Sequence, residues 1–342
     1  MFALTCPCRR RNQNLIRTLL QTKFCVCVWV CVSGCVHVRG FGRMDLATRH
    51  RHTRDDNIDF FKDSHSYRIT RGEKSEFAPV SVTSFCKHYF TQFDARVCVD
   101  TYFLKWKSNP ASKYHALIHN ALRFGSSEED AKQLIMGHWV ALGQKASEEG
   151  TYMHERAEHL CNGLQASADD KEMSLLSTWQ ENFEPHMEWR PYRTEWMLWW
   201  EEKKLQDKIL VAGTLDLLLR SEKTGDFALV DFKRTNPAPK SRGGAPNLLG
   251  PASQNFRHPG YASTPLVEVE DSKYGAYSMQ LNILSKMLRE RYEIDVGDNM
   301  YLLQIHEDLD EAHCVRVHCY RAATNMLFAV ETERQLTSGG HS

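Results

Sequence analysis

Two short stretches decide the fold: residues 213–219 read Gly-Thr-Leu-Asp-Leu-Leu-Leu, and residues 227–233 read Phe-Ala-Leu-Val-Asp-Phe-Lys. Both are almost continuously apolar, which is typical of strands that are buried on both faces. Residues 221–225, Ser-Glu-Lys-Thr-Gly, predict a turn between them. If the two strands pair as a hairpin, the aspartates that they carry can approach each other.

The charged residues in these strands indicate a chemical site. Residues two apart in a strand point to the same face, so Asp231 and Lys233 project together, and Asp216 lies on the partner strand. Adjacent carboxylates repel unless a cation lies between them, and Mg²⁺ or Mn²⁺ suits such an oxygen-rich site. A lysine beside the metal can position or deprotonate a water, which is phosphodiester hydrolysis chemistry. The alternative, a surface Asp–Lys ion pair, is weakened by the apolar surroundings.

Outside this hairpin, the hydrophobic period divides the chain. Up to residue 188 it is mostly helical, after a strand-like start at His65, and beyond Pro191 it becomes strand-like. We predict helices that begin at an N-cap at Ser81 and continue over 111–123, 128–146, 151–161 and 172–187. We predict strands over 192–200, 208–211, 213–220, 227–234, 299–306 and 312–320, with helices over 271–292 and 321–335 and a long Pro/Gly loop over 237–265. This order suits an α/β domain with an N-terminal helical elaboration.

Four motifs carry a family resemblance. Gly-Thr-Leu-Asp followed by Val-Asp-Phe-Lys resembles motifs II and III of the PD-(D/E)XK nuclease superfamily, in its RecB-like exonuclease branch. Residues 150–158, Gly-Thr-Tyr-Met-His-Glu-Arg-Ala-Glu, are similar to the Gly-x-x-x-His-x-x-x-Glu helix of that branch. Residues 277–284, Tyr-Ser-Met-Gln-Leu-Asn-Ile-Leu, resemble its Gln-x-x-x-Tyr helix, although Leu284 replaces the tyrosine. The motifs occur in the order of the family.

The resemblance implies a restriction-endonuclease-like fold, in which helices flank a mixed central sheet. It implies a Mg²⁺- or Mn²⁺-dependent DNA exonuclease of DNA repair or recombination that leaves a 5′-phosphate and a 3′-hydroxyl. The implied catalytic residues are Lys233, Asp216 and Asp231. The implied metal ligands are His154, Asp216, Asp231 and the backbone carbonyl of Phe232, with Glu158 and Glu195 as accessory acids. Gln280 and Tyr277 would contact DNA, and Lys240 and Arg242 in the following loop are placed to reach phosphates.

Several alternatives stay open. A catalytically idle nucleic-acid-binding module of the same fold and an RNA-directed nuclease would share these motifs. Only Cys314 and Cys319 lie near the C-terminus, so we expect no Fe–S cluster of the kind that some relatives hold. The tryptophans at 189, 196, 199 and 200 fit either a packed core or a base-stacking platform, and their alternate spacing favours the core.

Composition adds limits on function. The 342 residues carry 43 basic and 43 acidic side chains, which excludes a polybasic protein held to nucleic acid by bulk charge. Residues 1–44 hold seven basic residues and no acidic one, so the remainder has 36 basic and 43 acidic residues and a formal charge of −7. Any nucleic-acid contact must therefore be local. No apolar run is long enough to span a membrane, and the sequence does not identify a protein partner.

The N-terminal segment and the domain limits complete the prediction. Six of the eleven cysteines precede residue 36, and this leader fits a secretory signal, a transit peptide, or an upstream extension before a start at Met44. The cysteine-poor remainder indicates an intracellular protein of the nucleus, cytoplasm or mitochondrion. We predict a leader and polar arm outside the fold over 1–63, a helical part over 64–188, a nuclease core over 189–336 and a tail over 337–342.

Overall fold

A computed structural model describes residues 26–30, 36–40, 45–165, 167, 169–237, 248–251 and 260–338. The chain divides into two units, Met1–Arg49 and His50–Ser342. In the first unit, strands β1 (Val26–Val30) and β2 (Val36–Gly40) pair antiparallel, and a short helix, α1, covers Leu46–Arg49. The origin of the leader stays a prediction, because most of it lies outside the described residues.

The second unit contains every motif discussed above. Its strands are β3 (Ile58–Phe61), β4 (Ser66–Arg71), β5 (Lys74–Phe77), β6 (Trp189–Glu202), β7 (Lys208–Ser221), β8 (Phe227–Lys233), β9 (Met300–Gln304) and β10 (His313–Arg316). Its helices are α2 (Val82–Lys87), α3 (Ala95–Ser108), α4 (His115–Arg123), α5 (Glu128–Cys161), α6 (Lys171–Asn182), α7 (Lys273–Arg291) and α8 (Arg321–Ser338). Within the described ranges, no helix is both long and apolar enough to cross a bilayer.

The central sheet has the strand order β10-β9-β8-β7-β6. Strands β8 and β9 are parallel, since α7 lies between them in the chain, and the other neighbours are antiparallel. A separate antiparallel sheet has the order β3-β4-β5. The prediction of an α/β fold with a mixed central sheet flanked by helices is therefore confirmed.

Each face of the central sheet has its own hydrophobic core. Leu229 contributes to one core, with residues of α2, α7 and α8, whereas Val230 contributes to the other, with residues of α5 and α6. This alternation along β8 explains why the strand is continuously apolar, as predicted for a strand covered on both faces. All four tryptophans of β6 are at most 4% exposed, so they belong to the core and do not form a stacking platform.

The N-terminal helical elaboration has a third core. Helices α3, α4 and the first half of α5 pack around Phe103, Ile118 and Ile135. Helix α3 was not predicted, because exposed apolar residues such as Val97 and Leu104 obscure its periodicity. Its N-cap is nevertheless present in the sequence, since Asp94 accepts a hydrogen bond from the N–H of Val97.

Two predicted breaks are wrong. The helices predicted over 128–146 and 151–161 form one 34-residue helix, α5, because Gly150 weakens a helix without ending it. The strands predicted over 208–211 and 213–220 form one strand, β7, in which Gly213 allows a close approach to α2. Residues 140–148 of α5 are exposed on every side, so this part of the helix connects two cores without packing on either.

The prediction that residues 45–63 form a solvated arm is also wrong for the part beyond residue 49. Arg54 lies 3.4 Å from the centre of the Trp199 ring and pairs with Glu201. Asp55 accepts hydrogen bonds from Arg193 and Trp196. The charges of Arg54 and Asp55, which suggested a solvated arm, are thus paired with residues of β6. Strand β3 begins only three residues after Asp55.

A smaller correction concerns the start of α7. The predicted cap, Asp271, accepts hydrogen bonds from the backbone and hydroxyl of Thr91. The N-cap is Ser272, whose hydroxyl accepts the N–H of Gly275.

Two glycine substitutions should have opposite effects on stability. At Gly143, in the exposed part of α5, an added Cβ meets no atom within 4 Å, so Gly143→Ala should raise the free energy of unfolding by about 0.5–1 kcal/mol. At Gly213, an added Cβ lies 2.5 Å from Val82 Cγ2, so Gly213→Ala should lower it by about 1–3 kcal/mol. Urea unfolding measures both changes.

The double variant Gly213→Ala/Val82→Ala is the control for the second effect. It should lose less stability than the sum of the two single variants, because the shorter alanine side chain at position 82 removes the clash. Additive losses would contradict the proposed role of this close approach.

Candidate metal centre

The hairpin of β7 and β8 places two aspartates side by side. Leu217 pairs with Val230, so Asp216 and Asp231 are opposite each other in the antiparallel register. Both side chains are buried, with residue exposures of 9% and 6%. Asp216 Oδ2 accepts a hydrogen bond of 2.6 Å from the backbone N–H of Phe232. The predicted hairpin is therefore present, and it brings two carboxylates into the protein interior.

Lys233, the last residue of β8, adds a positive charge to the two aspartates of the hairpin. Its Nζ lies 2.5 Å from Asp231 Oδ2, as expected for residues that share one face of β8. The ammonium group also lies 4.7 Å from the centre of the Tyr277 ring on α7. The lysine is thus held between a carboxylate and an aromatic face that both favour its charged form.

Helix α5 and strand β6 add two further side chains of metal-ligand type. His154 Nδ1 lies 3.4 Å from Glu195 Oε1 and 3.6 Å from Asp216 Oδ1. One ligand atom from each of these three residues lies within 4.8 Å of the other two. The His154 ring also packs edge-on against Phe232, with ring centres 6.0 Å apart. Three elements distant in sequence therefore converge on one point.

The backbone at Glu195 is unusual. Its φ of 42° lies in the left-handed region, although its neighbours Thr194 and Trp196 pair in register with β7. A residue other than glycine in this conformation costs about 1–3 kcal/mol, and such strain within a strand is a feature of many functional sites. The sequence could not distinguish Glu195 from a solvated residue among tryptophans, because this conformation leaves no mark in the residue pattern.

The buried charges shift one another's pKa values. Burial, and then the neighbouring carboxylate, raise the pKa of Asp231 to about 6, and burial also raises the pKa of Asp216. Burial alone would lower the pKa of His154, but the carboxylates of Asp216 and Glu195 raise it to about 9. Without metal, the site therefore compensates its carboxylates with protons, and a divalent cation would replace part of this positive charge.

The donor set fits a divalent cation. Asp216 and Glu195 offer carboxylate oxygens, and His154 offers one imidazole nitrogen. Asp231, which lies opposite Asp216, stays a predicted ligand. Mg²⁺ prefers oxygen ligands, and Mn²⁺ accepts oxygen together with nitrogen. The backbone carbonyl of Phe232 stays a predicted ligand.

An ion-pair network that was not predicted holds these elements together. Arg234, directly after Lys233, pairs with Glu172 at 2.8 Å and with Glu149 at 2.6 Å. Arg156, two residues after His154, pairs with the other oxygen of Glu172 at 2.6 Å. Glu172 is 5% exposed, so one buried carboxylate ties the end of β8 to the helix that carries His154. Proximity to the motifs was the only signal for the two arginines.

The structure places the remaining predicted site residues in different positions. In the described part of the chain, the Glu158 side chain makes neither a hydrogen bond nor an ion pair with the His154 ring, whose carboxylate partners are Glu195 and Asp216. Gln280 and Tyr277 line a cavity beside the site. Lys240 and Arg242 lie outside the described residues.

Comparisons with known proteins give little guidance. No protein-family model matches the chain, and no curated protein matches it. A solved structure titled "Crystal structure of SSO0001" aligns with 48% of this chain and 57% of that chain, at 16% sequence identity and a TM-score of 0.24. The aligned part is thus just over half of that structure, and the likeness is too low to support an argument about fold or function.

Substitution of the two glutamates near His154, Glu195 and Glu158, should have different effects on metal affinity. Glu195→Gln should weaken Mn²⁺ binding about 10- to 100-fold, because it removes a carboxylate that lies 3.4 Å from His154. Glu158→Gln, the matched control, should leave the affinity within about twofold, since the Glu158 carboxylate makes no hydrogen bond or ion pair with the His154 ring among the described residues. Isothermal titration calorimetry measures both. Equal losses would contradict a ligand set that includes Glu195 and leaves out Glu158.

The stability of the metal-free protein should depend on the charge of His154. Its pKa of about 9 in the folded state exceeds the ordinary value of 6.5, so its stabilising effect is fully present below about pH 6.5 and is lost as the pH rises through 9. We expect His154→Ala to cost about 2 kcal/mol more at pH 6 than at pH 9.5 in urea unfolding with a chelator. A cost independent of pH would contradict this. Saturating Mn²⁺ should abolish the difference, since a metal requires the neutral imidazole.

Proposed function

We propose that this chain is a divalent-metal-dependent DNA nuclease, of exonuclease type, that hydrolyses phosphodiester bonds. The observation that supports this most directly is the convergence of His154, Glu195 and Asp216 on one point, beside the hairpin that carries Asp231 and Lys233. A buried acidic cluster with an adjacent lysine has no evident structural purpose, because apolar side chains would stabilise these strands better.

The metal would be held by His154, Glu195, Asp216 and Asp231, with the Phe232 carbonyl as a further ligand. When bound, Mg²⁺ or Mn²⁺ supplies Lewis-acid polarisation of a phosphate oxygen and lowers the pKa of a coordinated water. Phe232 N–H fixes the Asp216 carboxylate through one oxygen and leaves the other directed toward His154. The hairpin thus presents its ligands without a change of conformation.

Lys233 acts as a cation in this proposal. Burial alone would lower the pKa of its ammonium group, but the carboxylates of Asp231 and Asp216 raise it above the ordinary value. Nζ therefore holds its proton at neutral pH and can donate a hydrogen bond to a phosphate oxygen as negative charge develops there. This favours electrostatic stabilisation over deprotonation of water as the role of Lys233.

The charge of the site also sets the order in which the metal and the nucleic acid bind. Three carboxylates face one lysine and one protonated histidine, so the metal-free centre carries a net charge of about −1 and repels a phosphodiester. A divalent cation that displaces the His154 proton brings the net charge to about zero and removes this repulsion. Nucleic acid is therefore expected to bind near the centre after the metal, which is consistent with the formal charge of −7 on residues 45–342.

The cellular compartment belongs to the same proposal. The cysteines of the described second unit are free thiols, namely Cys86, Cys98, Cys161, Cys314 and Cys319. Free thiols are typical of reducing compartments, which supports an intracellular protein of the nucleus, cytoplasm or mitochondrion.

Nuclease assays test the proposal. The full chain with Mg²⁺ or Mn²⁺ should degrade linear DNA faster than circular DNA. Asp231→Ala and Lys233→Ala should each lower the rate at least about 100-fold, because Asp231 would hold the metal and Lys233 would stabilise the reacting phosphate. Asp310→Ala and Lys223→Ala make the same chemical changes at exposed positions and should keep the wild-type rate.

The same assay separates the alternatives. Activity that survives in both site variants would exclude this centre as the source of cleavage. Faster cleavage of RNA than of DNA would identify an RNA-directed enzyme. No cleavage of either substrate, with intact Mn²⁺ binding, would identify a catalytically idle module.

A further inference from the structure

Glu195 interrupts the regular alternation of β6. In a regular strand, residues two apart lie on the same face of the sheet. Thr194, just before Glu195, accepts a hydrogen bond of 3.0 Å from Asn162 at the C-terminal end of α5. Trp196, just after Glu195, packs in the core on the opposite face, among residues of α2, α7 and α8. The left-handed backbone at Glu195 thus switches the face to which the strand's side chains point, and its carboxylate lies 3.4 Å from His154 Nδ1.

A short segment near the start of the second unit, residues 50–57, binds the part of β6 that surrounds Glu195. Asp55 Oδ2 accepts a hydrogen bond of 2.8 Å from the Arg193 guanidinium, and Asp55 Oδ1 accepts one of 2.7 Å from the Trp196 indole. The Arg193 guanidinium also lies 4.3 Å from the centre of the Trp196 ring. Arg193 and Trp196 are 4% and 2% exposed, so water does not compete for these bonds.

The spacing of the two residues that Asp55 binds is informative. Arg193 and Trp196 are three apart in the sequence, and residues three apart in a regular strand point to opposite faces. One carboxylate can bind both because the alternation is broken between them, at Glu195. The two hydrogen bonds therefore stabilise the interrupted strand relative to a regular one, and they offset part of the cost of the left-handed backbone.

We propose that Asp55 is a positioning residue for the candidate metal centre. Its hydrogen bonds to Arg193 and Trp196 keep the backbone left-handed at Glu195 and thereby keep the Glu195 carboxylate beside His154. The inference rests on the proposed function, in which Glu195 is a metal ligand, and it gives residues 50–57 a part in that function. Asp55 acts on the metal through Glu195, so its effect on metal binding requires the Glu195 carboxylate.

A double-mutant cycle on Mn²⁺ affinity tests this role. Asp55→Asn keeps the size of the side chain but replaces one acceptor oxygen by an N–H donor, so Arg193 or Trp196 loses its acceptor. It should weaken Mn²⁺ binding about 10-fold, as is usual when a residue that orients a metal ligand is changed. In the Glu195→Gln background, the same substitution should change the affinity less than about twofold, because the carboxylate that Asp55 positions is already absent. Isothermal titration calorimetry measures the four proteins.

Glu201→Gln is the matched control for a general loss of stability. Glu201 pairs at 2.7 Å with Arg54, the residue before Asp55, and the two side chains are 21% and 16% exposed. This ion pair also ties residues 50–57 to β6, but it lies six residues beyond Glu195. Glu201→Gln should lower the urea midpoint about as much as Asp55→Asn does, and it should leave the Mn²⁺ affinity within about twofold.

A second variant probes the same contact from the side of β6. Trp196→Phe removes the indole N–H that Asp55 accepts, while the ion pair between Asp55 and Arg193 stays. Because no buried charge loses its partner, this variant keeps the test available if Asp55→Asn does not fold. It should weaken Mn²⁺ binding several-fold in the wild-type chain and less than about twofold in the Glu195→Gln background.

The outcomes separate this inference from the proposed function. Equal weakening of Mn²⁺ binding with and without the Glu195 carboxylate, or equal weakening by Asp55→Asn and Glu201→Gln, would overturn the positioning role even if the wild-type chain cleaves DNA. An effect of Asp55→Asn that requires Glu195, in a chain that cleaves no nucleic acid, would keep the positioning role and overturn the nuclease function. A wild-type chain that binds no Mn²⁺ would overturn both.

Discussion

Repulsion between two buried carboxylates is the constraint on which the rest of the structure depends. Asp216 and Asp231 lie opposite each other on antiparallel strands that are covered on both faces. A folded chain tolerates this arrangement only when positive charge lies close by, because water cannot reach the pair to screen it. Lys233 and His154 provide this charge from two directions, and a hydrogen bond from Phe232 fixes the geometry. The helices around the hairpin are thus arranged to supply counter-charge as well as apolar cover.

This constraint explains why distant segments are tied together. His154 lies on a helix that begins in the N-terminal helical part, whereas the carboxylates lie in the central sheet. Arg156 and Arg234 share the buried Glu172, which links the two regions by charge-assisted hydrogen bonds. A break in this link would leave a buried charge without its partner, a loss that usually costs several kcal/mol. Arg156, Arg234 and Glu172 therefore both hold the two regions in position and neutralise one another's charge.

The sequence predicted the elements of the site better than their assembly. The hairpin, the aspartates and Lys233 could be predicted because a charge inside a continuously apolar strand is unusual and therefore informative. Glu195 could not be ranked above Glu158, since its approach to His154 depends on a left-handed backbone that no residue pattern encodes. The prediction of a solvated arm over residues 45–63 is wrong because a sequence does not show whether a charged side chain has a partner. Arg54 and Asp55 pair with residues of β6. The continuity of α5 was missed because a helix supported at both ends tolerates an internal glycine.

The exposed stretch of α5 has a mechanical consequence. Nine residues, 140–148, span about 13 Å of unsupported helix, and gentle bending with a radius of about 80 Å over this length turns the helix axis by about 10°. Such a tilt would misalign an imidazole that must meet two carboxylates. Glu149, however, is clamped to Arg234 at the point where the unsupported stretch ends, just over one turn before His154. This ion pair fixes the helix at that point, so it opposes the transmission of bending from residues 140–148 to His154.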